Sequence, residues 1–329
     1  MRILLFHPVH LPPKDYGGVE RVVLWLARGL IARGHTVSIA ASSGSQLPKG
    51  IQLIEVQNGE TTWDVLNKPG VQAHDIIHFM APPESGLWDE LEKKKIPFLL
   101  TVHGNGKPME KFPKNSVFLS RDHAARHGAE KYVYNGIDPE EYRFESVKEN
   151  WFLFLSKTSW RVKNVLGAID YCQKSKVSLK IAGGNRPILA RAKVALNSHM
   201  RWIGPVNGHP KVELLAKARA LIFPVLWDEP FGLVVVEALV SGTPVLASRR
   251  GSLPELLPPE VGQLLETTDQ WIEALSQPVS KWHAADCRDW AVKKFHFSKM
   301  AESYESLYFG IVNGESLHQT GPITLSEKT

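Results

Sequence analysis

Short apolar runs alternate along this chain with segments whose apolar residues recur at helical spacing. Residues 2–6 form the first run, and a Pro- and Gly-rich loop follows to Gly18. Val22, Val23, Leu26, Ala27, Leu30 and Ile31 then fall on one helical face, which Gly34 ends. Residues 36–40 restart a strand, so the chain opens β-loop-α-β, the unit of a parallel sheet. Further short runs cover 76–80, 98–102, 117–119 and 132–134, each bounded by Pro, Gly, Asp or Asn.

The scheme breaks at Asn135-Gly136-Ile137-Asp138-Pro139 and the charged segment to Asn150, where a linker is expected. A second series then begins: strand 151–155, helix 166–171, strand 179–182, helix 212–218, strand 221–223, helix 231–240 and strand 245–247. Two αβ series predict an α/β protein with two Rossmann-like, doubly wound parallel-sheet domains, residues 1–146 and 147–298. Ligand loops belong at the carboxyl ends of such strands, so two facing domains imply a cleft. A last helix over about 299–312, with Tyr304, Leu307 and Tyr308 on its apolar face, is expected to pack back on the first domain. The polar tail 313–329 is expected to be disordered.

A length of 329 residues fits two domains of about 150 residues each. Cys172 and Cys287 stand far apart without a CxxC spacing, which argues against a zinc site or disulfide framework and suits a reducing cytoplasm. The opening run is too short for a signal-peptide core, and no run approaches the ~20 apolar residues of a membrane span. An amphipathic face on the Val22–Ile31 segment leaves room for weak peripheral membrane contact. Residues 1–149 carry equal numbers of basic and acidic side chains, so the whole net charge of +5 falls in the remainder. That placement suits a small anionic ligand in the second domain. It does not suit nucleic acid, for which clustered Lys/Arg with aromatics are expected, and Lys93-Lys94-Lys95 reads as a solvated helix end.

The segment richest in chemistry is EPFGLVVVE, from Glu229 to Glu237. Pro230 suits a first helical position and Gly242 a helix end, which predicts a helix over about 230–241 with Glu229 at its N-terminal lip. Glu237 then lies ~12 Å further along at ~1.5 Å per residue. Such a pair does not form a retaining hydrolase site, whose carboxylates stand ~5 Å apart. It suits two ends of one long ligand, with the amides of Phe231 and Gly232 favouring a pyrophosphate between them.

This segment, with WIGPV at 202–206, LIFPVLWDEPFGLVVVEALVSGTPVLAS at 221–248 and LPEL at 253–256, resembles glycosyltransferase family 4, the retaining enzymes of GT-B fold. The resemblance runs over nearly the whole chain and implies one nucleotide-sugar site. It implies that Glu229 holds the transferred sugar and Glu237 the ribose, with the Phe231, Gly232 and Leu233 amides on sugar and phosphate and Ile203 near the base. Gly17 and Gly18 look like the family's N-terminal glycine loop, whose backbone approaches the diphosphate; a glycine loop there also serves simply as a tight turn. Thr101-Val102-His103-Gly104 resembles the strand-end motif whose histidine points at sugar and acceptor, although a lone strand-end histidine is more often structural.

The family's phosphate clamp is an Arg followed about six residues later by a Lys. Here Lys157 and Lys163 stand in those places, with Arg161 between them. Lys157 lacks the planar fork that grips phosphate at two points. No metal is expected: Asp-x-Asp is absent, and the pairs His7/His10, His74/His78 and His123/His127 lack a third ligand. No cofactor is implied beyond a nucleoside diphosphate sugar as co-substrate, UDP being the family's commonest base carrier, with an unidentified hydroxyl acceptor. The same scaffold admits a sugar-nucleotide epimerase, a phosphorylase or a non-catalytic nucleotide-sugar-binding protein.

Overall fold

The structure, a computed structural model, describes residues 1–13, 17–84, 86–185, 187–277 and 281–325. The chain divides into two compact units, residues 1–136 with 297–329, and residues 137–296. The boundary expected at 146/147 thus lies ten residues earlier. The segment from Ile137 is already tied into the second unit, where the Ile137 amide donates to the Phe295 carbonyl at 2.8 Å.

The first unit runs β1 (Arg2–Phe6), α1 (Gly18–Ala32), β2 (Thr36–Ser42), β3 (Gln52–Val56), α2 (Thr62–Leu66), β4 (Ile76–Phe79), α3 (Leu87–Lys93), β5 (Phe98–Thr101), β6 (Ser116–Val117) and α4 (Arg121–Ala125). Its six strands are parallel in the order β3-β2-β1-β4-β5-β6. The inner strands β4 and β5 are buried at every position, as expected of a parallel sheet covered on both faces.

The second unit repeats the plan with β7 (Phe152–Leu155), α5 (Val165–Lys174), β8 (Leu179–Ala182), α6 (Ile188–Ala195), β9 (Met200–Gly204), α7 (Gly208–Lys217), β10 (Ala220–Phe223), α8 (Leu233–Val240), β11 (Val245–Ser248), α9 (Leu253–Leu256), β12 (Gly262–Leu265), α10 (Thr268–Ser276) and α11 (Ala284–Phe295). The strand order is β12-β11-β10-β7-β8-β9, again parallel. In both sheets the order reverses beside the first strand, between β1 and β4 and between β7 and β10. Loops leave those neighbours in opposite directions, opening a crevice at their carboxyl ends.

α12 (Phe297–Val312) returns the chain to the first unit, against α1. A buried polar network fixes it there: His78 on β4 bonds Tyr308 Oη at 2.6 Å and Thr101 Oγ1 at 2.7 Å, and Thr101 bonds Tyr304 Oη at 2.9 Å. Two expectations change in this unit. The apolar face of α1, read as a membrane contact, is spent on packing, with Val22, Val23, Trp25, Leu26 and Leu30 buried. The tail expected to be disordered is hydrogen-bonded over 315–325: the Leu317 amide donates to Asn115 Oδ1, the Phe112 amide to the Pro322 carbonyl, and the Thr324 amide to the Glu110 carbonyl. Residues 326–329 lie outside the described residues.

Candidate active site

In the second unit the crevice between β7 and β10 is edged by the loops 156–163 and 224–232. The Leu226 amide donates to the Val162 carbonyl at 2.8 Å and stitches the two loops together. Across them Lys163 Nζ meets Glu229 Oε2 at 2.6 Å, with both side chains about one-tenth exposed. Trp227 Nε1 donates to the same oxygen at 2.7 Å. The Lys163 ammonium also lies 4.6 Å from the Trp227 ring centroid and 5.4 Å from that of Phe223. Oε2 is thus saturated by two fixed donors, while no described residue donates to Oε1. Lys157 is exposed, with its ammonium 4.6 Å from the ring centroid of Trp160, which stands edge-on to Trp227.

The helix expected over 230–241 is shorter. α8 begins at Leu233 because Gly232 takes φ +84°, a left-handed conformation that interrupts the helical path. Pro230 and Phe231 therefore belong to the loop, Glu229 stands four residues before the helix, and the ~12 Å rise computed for a continuous helix does not apply. Phe231 is buried and Leu233 half-buried. Glu237 sits one turn inside α8, only 1% exposed. Its Oε1 accepts from Lys211 Nζ and from Tyr142 Oη, both at 2.7 Å. Each carboxylate of the EPFGLVVVE segment thus has its own lysine. Ile203, expected near the base, lies half-buried within the edge strand β9.

A residue pair that sequence reasoning passed over holds Glu229 in place. The Ser252 amide donates to the Glu229 carbonyl at 2.9 Å, and Ser252 Oγ to the Phe231 carbonyl at 2.8 Å. A Cβ on Gly251 (φ +57°) would lie 2.4 Å from the Glu229 amide nitrogen. Only glycine lets the loop after β11 lie this close.

In the first unit His7 directly follows β1, and His103 lies two residues beyond β5. All four of their ring nitrogens are buried and bond no described residue. The buried histidines His78, His123 and His127 differ, since every ring nitrogen there has a partner. His123 and His127 reach the carbonyls of Gly104 and Asn105 at 2.9 and 3.0 Å, holding the loop that carries His103. Burial lowers His7 to about 4 and, with the neighbouring His7, His103 to about 3, so both rings are neutral at pH 7. His7 escaped the sequence reading because a His-Pro after a first strand has no motif of its own. Gly17 caps α1, its carbonyl accepting from Arg21 Nε at 3.0 Å, and Gly18 opens the helix. Residues 14–16 of that loop lie outside the described residues.

Residues 139–289 match the family model described as glycosyl transferases group 1, and residues 16–138 the model described as glycosyltransferase family 4. The chain belongs to glycosyltransferase family 4. Among its relatives, the phosphatidyl-myo-inositol mannosyltransferase of Mycobacterium tuberculosis is 25% identical, over 89% of this chain and 93% of that one. An uncharacterized 42.6 kDa protein in the cps region of Klebsiella pneumoniae is 24% identical over 94% of this chain and all of its own length. In fold, this glycosyltransferase is similar to AviGT4, a glycosyltransferase involved in avilamycin A biosynthesis, with a TM-score of 0.79 and 23% identity over 95% of this chain and 98% of that one. The Anabaena protein HepE, solved in complex with UDP and glucose, has a TM-score of 0.68 at 15% identity over 93% of this chain and 98% of that one. The fold is GT-B. Among the described residues no helix of this glycosyltransferase is long and apolar enough to cross a membrane, and no three His, Cys, Asp or Glu side chains converge on a metal-sized site.

Proposed function

We propose that this glycosyltransferase moves a hexosyl group from a nucleoside diphosphate sugar, a UDP-sugar in the first instance, to an acceptor hydroxyl with retention of anomeric configuration. The observation that carries the reading is the buried Lys163–Glu229 pair at the strand-order reversal of the second sheet. A buried carboxylate with one oxygen saturated and the other without a described donor is a rigid acceptor for sugar hydroxyls. The Lys163 ammonium and the exposed Lys157 supply positive charge for the departing diphosphate, together with the free amides at the start of α8. These charges serve where a metal otherwise would, so transfer is expected to be insensitive to EDTA.

The described hydrogen bonds to the Glu229 carboxylate come from Lys163 and Trp227. Attack on the same face, with the leaving phosphate taking the acceptor proton, fits this arrangement. The neutral rings of His7 and His103 each offer one donor and one acceptor, which matches hydroxyl groups of sugar or acceptor better than phosphate. Glu237 is the ribose anchor in this reading. Tyr142 and Lys211, which share its Oε1, hold that carboxylate in place.

Glu229→Gln tests the assignment better than Glu229→Ala. It keeps an oxygen for Trp227 and Lys163, whereas truncation strands a buried lysine at a cost of about 3–5 kcal/mol. The expected outcome, read by mass spectrometry of donor and acceptor panels, is a loss of transfer of about 100-fold or more in a protein that melts near the parent. Undiminished transfer contradicts the assignment. Donor binding by the parent without turnover across the panel makes the chain a binding protein instead.

A further inference from the structure

The two most exposed large apolar side chains of the described residues, Leu196 and Ile188, stand with Leu189 on one helix and its C-cap. Ile188, Leu189 and Leu196 are 86%, 66% and 89% exposed. At 100° per residue, Ala195, Ile188, Ala192, Leu196 and Leu189 fall in that order within an arc of about 120° on α6 and its C-cap. All five are exposed. The opposite side of α6 carries Ala190 and Val194, which pack into the core of the second unit. Arg191 borders the exposed stripe on one side and Lys193 on the other. The helix is therefore apolar on both faces yet covered on one alone.

Ordinary surface helices put charge where α6 puts Ile188, Ala192 and Leu196. Residues 187–201 contain no Asp or Glu, and the positive excess of the whole chain falls in 150–329. Asp170, the acidic residue that reaches this helix from α5, is bonded to Lys193. An outward apolar stripe bordered by basic side chains is the pattern of a helix lying in a bilayer interface: apolar residues enter the acyl boundary and the cations meet anionic headgroups. α6 follows β8, so Ile188 and Leu189 begin it at the carboxyl end of the sheet, the end that carries the Lys157 and Glu229 loops.

We infer that α6 docks the second unit on an anionic lipid bilayer, with Ile188, Leu189 and Leu196 inserted and Arg191 and Lys193 at headgroup level. This docking stands apart from the donor site and does not depend on the reaction assigned to it.

The test is co-sedimentation of the full chain with phosphatidylcholine vesicles, with and without phosphatidylglycerol. The parent binds the anionic vesicles, binds the neutral ones less, and is released as ionic strength rises. Leu189→Asp with Leu196→Asp lowers partitioning about tenfold or more, Arg191→Ala lowers it on anionic vesicles only, and Leu189→Trp raises it. Because the replaced side chains are exposed, the thermal melt and its shift by nucleotide sugars stay at parental values, which separates a docking defect from a fold or donor-site defect. Absence of parental binding to anionic vesicles at low salt overturns the inference, as does undiminished binding by the Asp variant. It is equally overturned if sedimentation velocity finds a dimer that the Asp variant dissociates, since the stripe then belongs to a second copy.

Discussion

Gly251 and Ser252 show how a residue with no chemistry decides the placement of one that has it. The backbone of Glu229 is clasped by the loop after β11, and the room for a Cβ at Gly251 is 2.4 Å from the Glu229 amide nitrogen. Gly251→Ala adds strain at a positive φ and pushes Glu229 off its lysine. The expected outcome is a fall in kcat of about tenfold or more with donor KM changed less, measured by steady-state kinetics. Parental kcat shows that the clasp does not position the carboxylate. Glu229 was legible as a candidate from its motif. Its partner Lys163 was legible by resemblance as the clamp lysine of the same nucleotide-sugar site, but not as an ion-pair partner of Glu229, because 66 residues separate them and only the sheet order brings them together. Gly251 was invisible for the same reason.

At the scale of elements, the strands that sequence reasoning placed correctly include all the internal ones, whose positions are mostly buried and apolar: β1, β2, β4, β5, β7, β8, β10 and β11. It left out β3, β9 and β12, edge strands with polar or half-exposed positions that break the pattern. α8 was read three residues too long at its start because periodicity does not show that Gly232 takes a positive φ. α12 was read nearly in full, but not the reason it stays in place. Tyr308→Phe tests that reason: it leaves a buried nitrogen of His78 without its 2.6 Å partner. Urea unfolding followed by circular dichroism is expected to show the first unit destabilised by about 1–3 kcal/mol. An unchanged midpoint means the network does not hold the helix.

For the whole molecule, the unevenly distributed histidines set a pH response. His7, His103 and His123 are lowered by burial from the ordinary 6.5 to about 4, 3 and 2, and His78 and His127 are lowered as well. Below about pH 6.5 the unfolded chain takes up protons that the folded chain refuses until its own lower values, so stability falls on acidification. Melting temperatures measured from pH 7 down to about 4 are expected to drop steadily, and less steeply for His7→Asn with His103→Asn. A flat profile contradicts neutral burial of these rings. All five lie in the first unit, a grouping already contained in the expected domain 1–146, whereas their burial becomes evident only in the fold.

The account rests most directly on donor binding by the second unit, and a thermal-shift panel of UDP-, GDP- and ADP-sugars measures it. Ligand at 100 times its dissociation constant adds about 2.7 kcal/mol to stability, which for a unit of this size raises the melting temperature by roughly 5–10 °C. The account predicts such a rise with at least one nucleotide sugar, foremost a UDP-sugar, and its loss in Lys163→Ala. A response flat across every sugar nucleotide contradicts it.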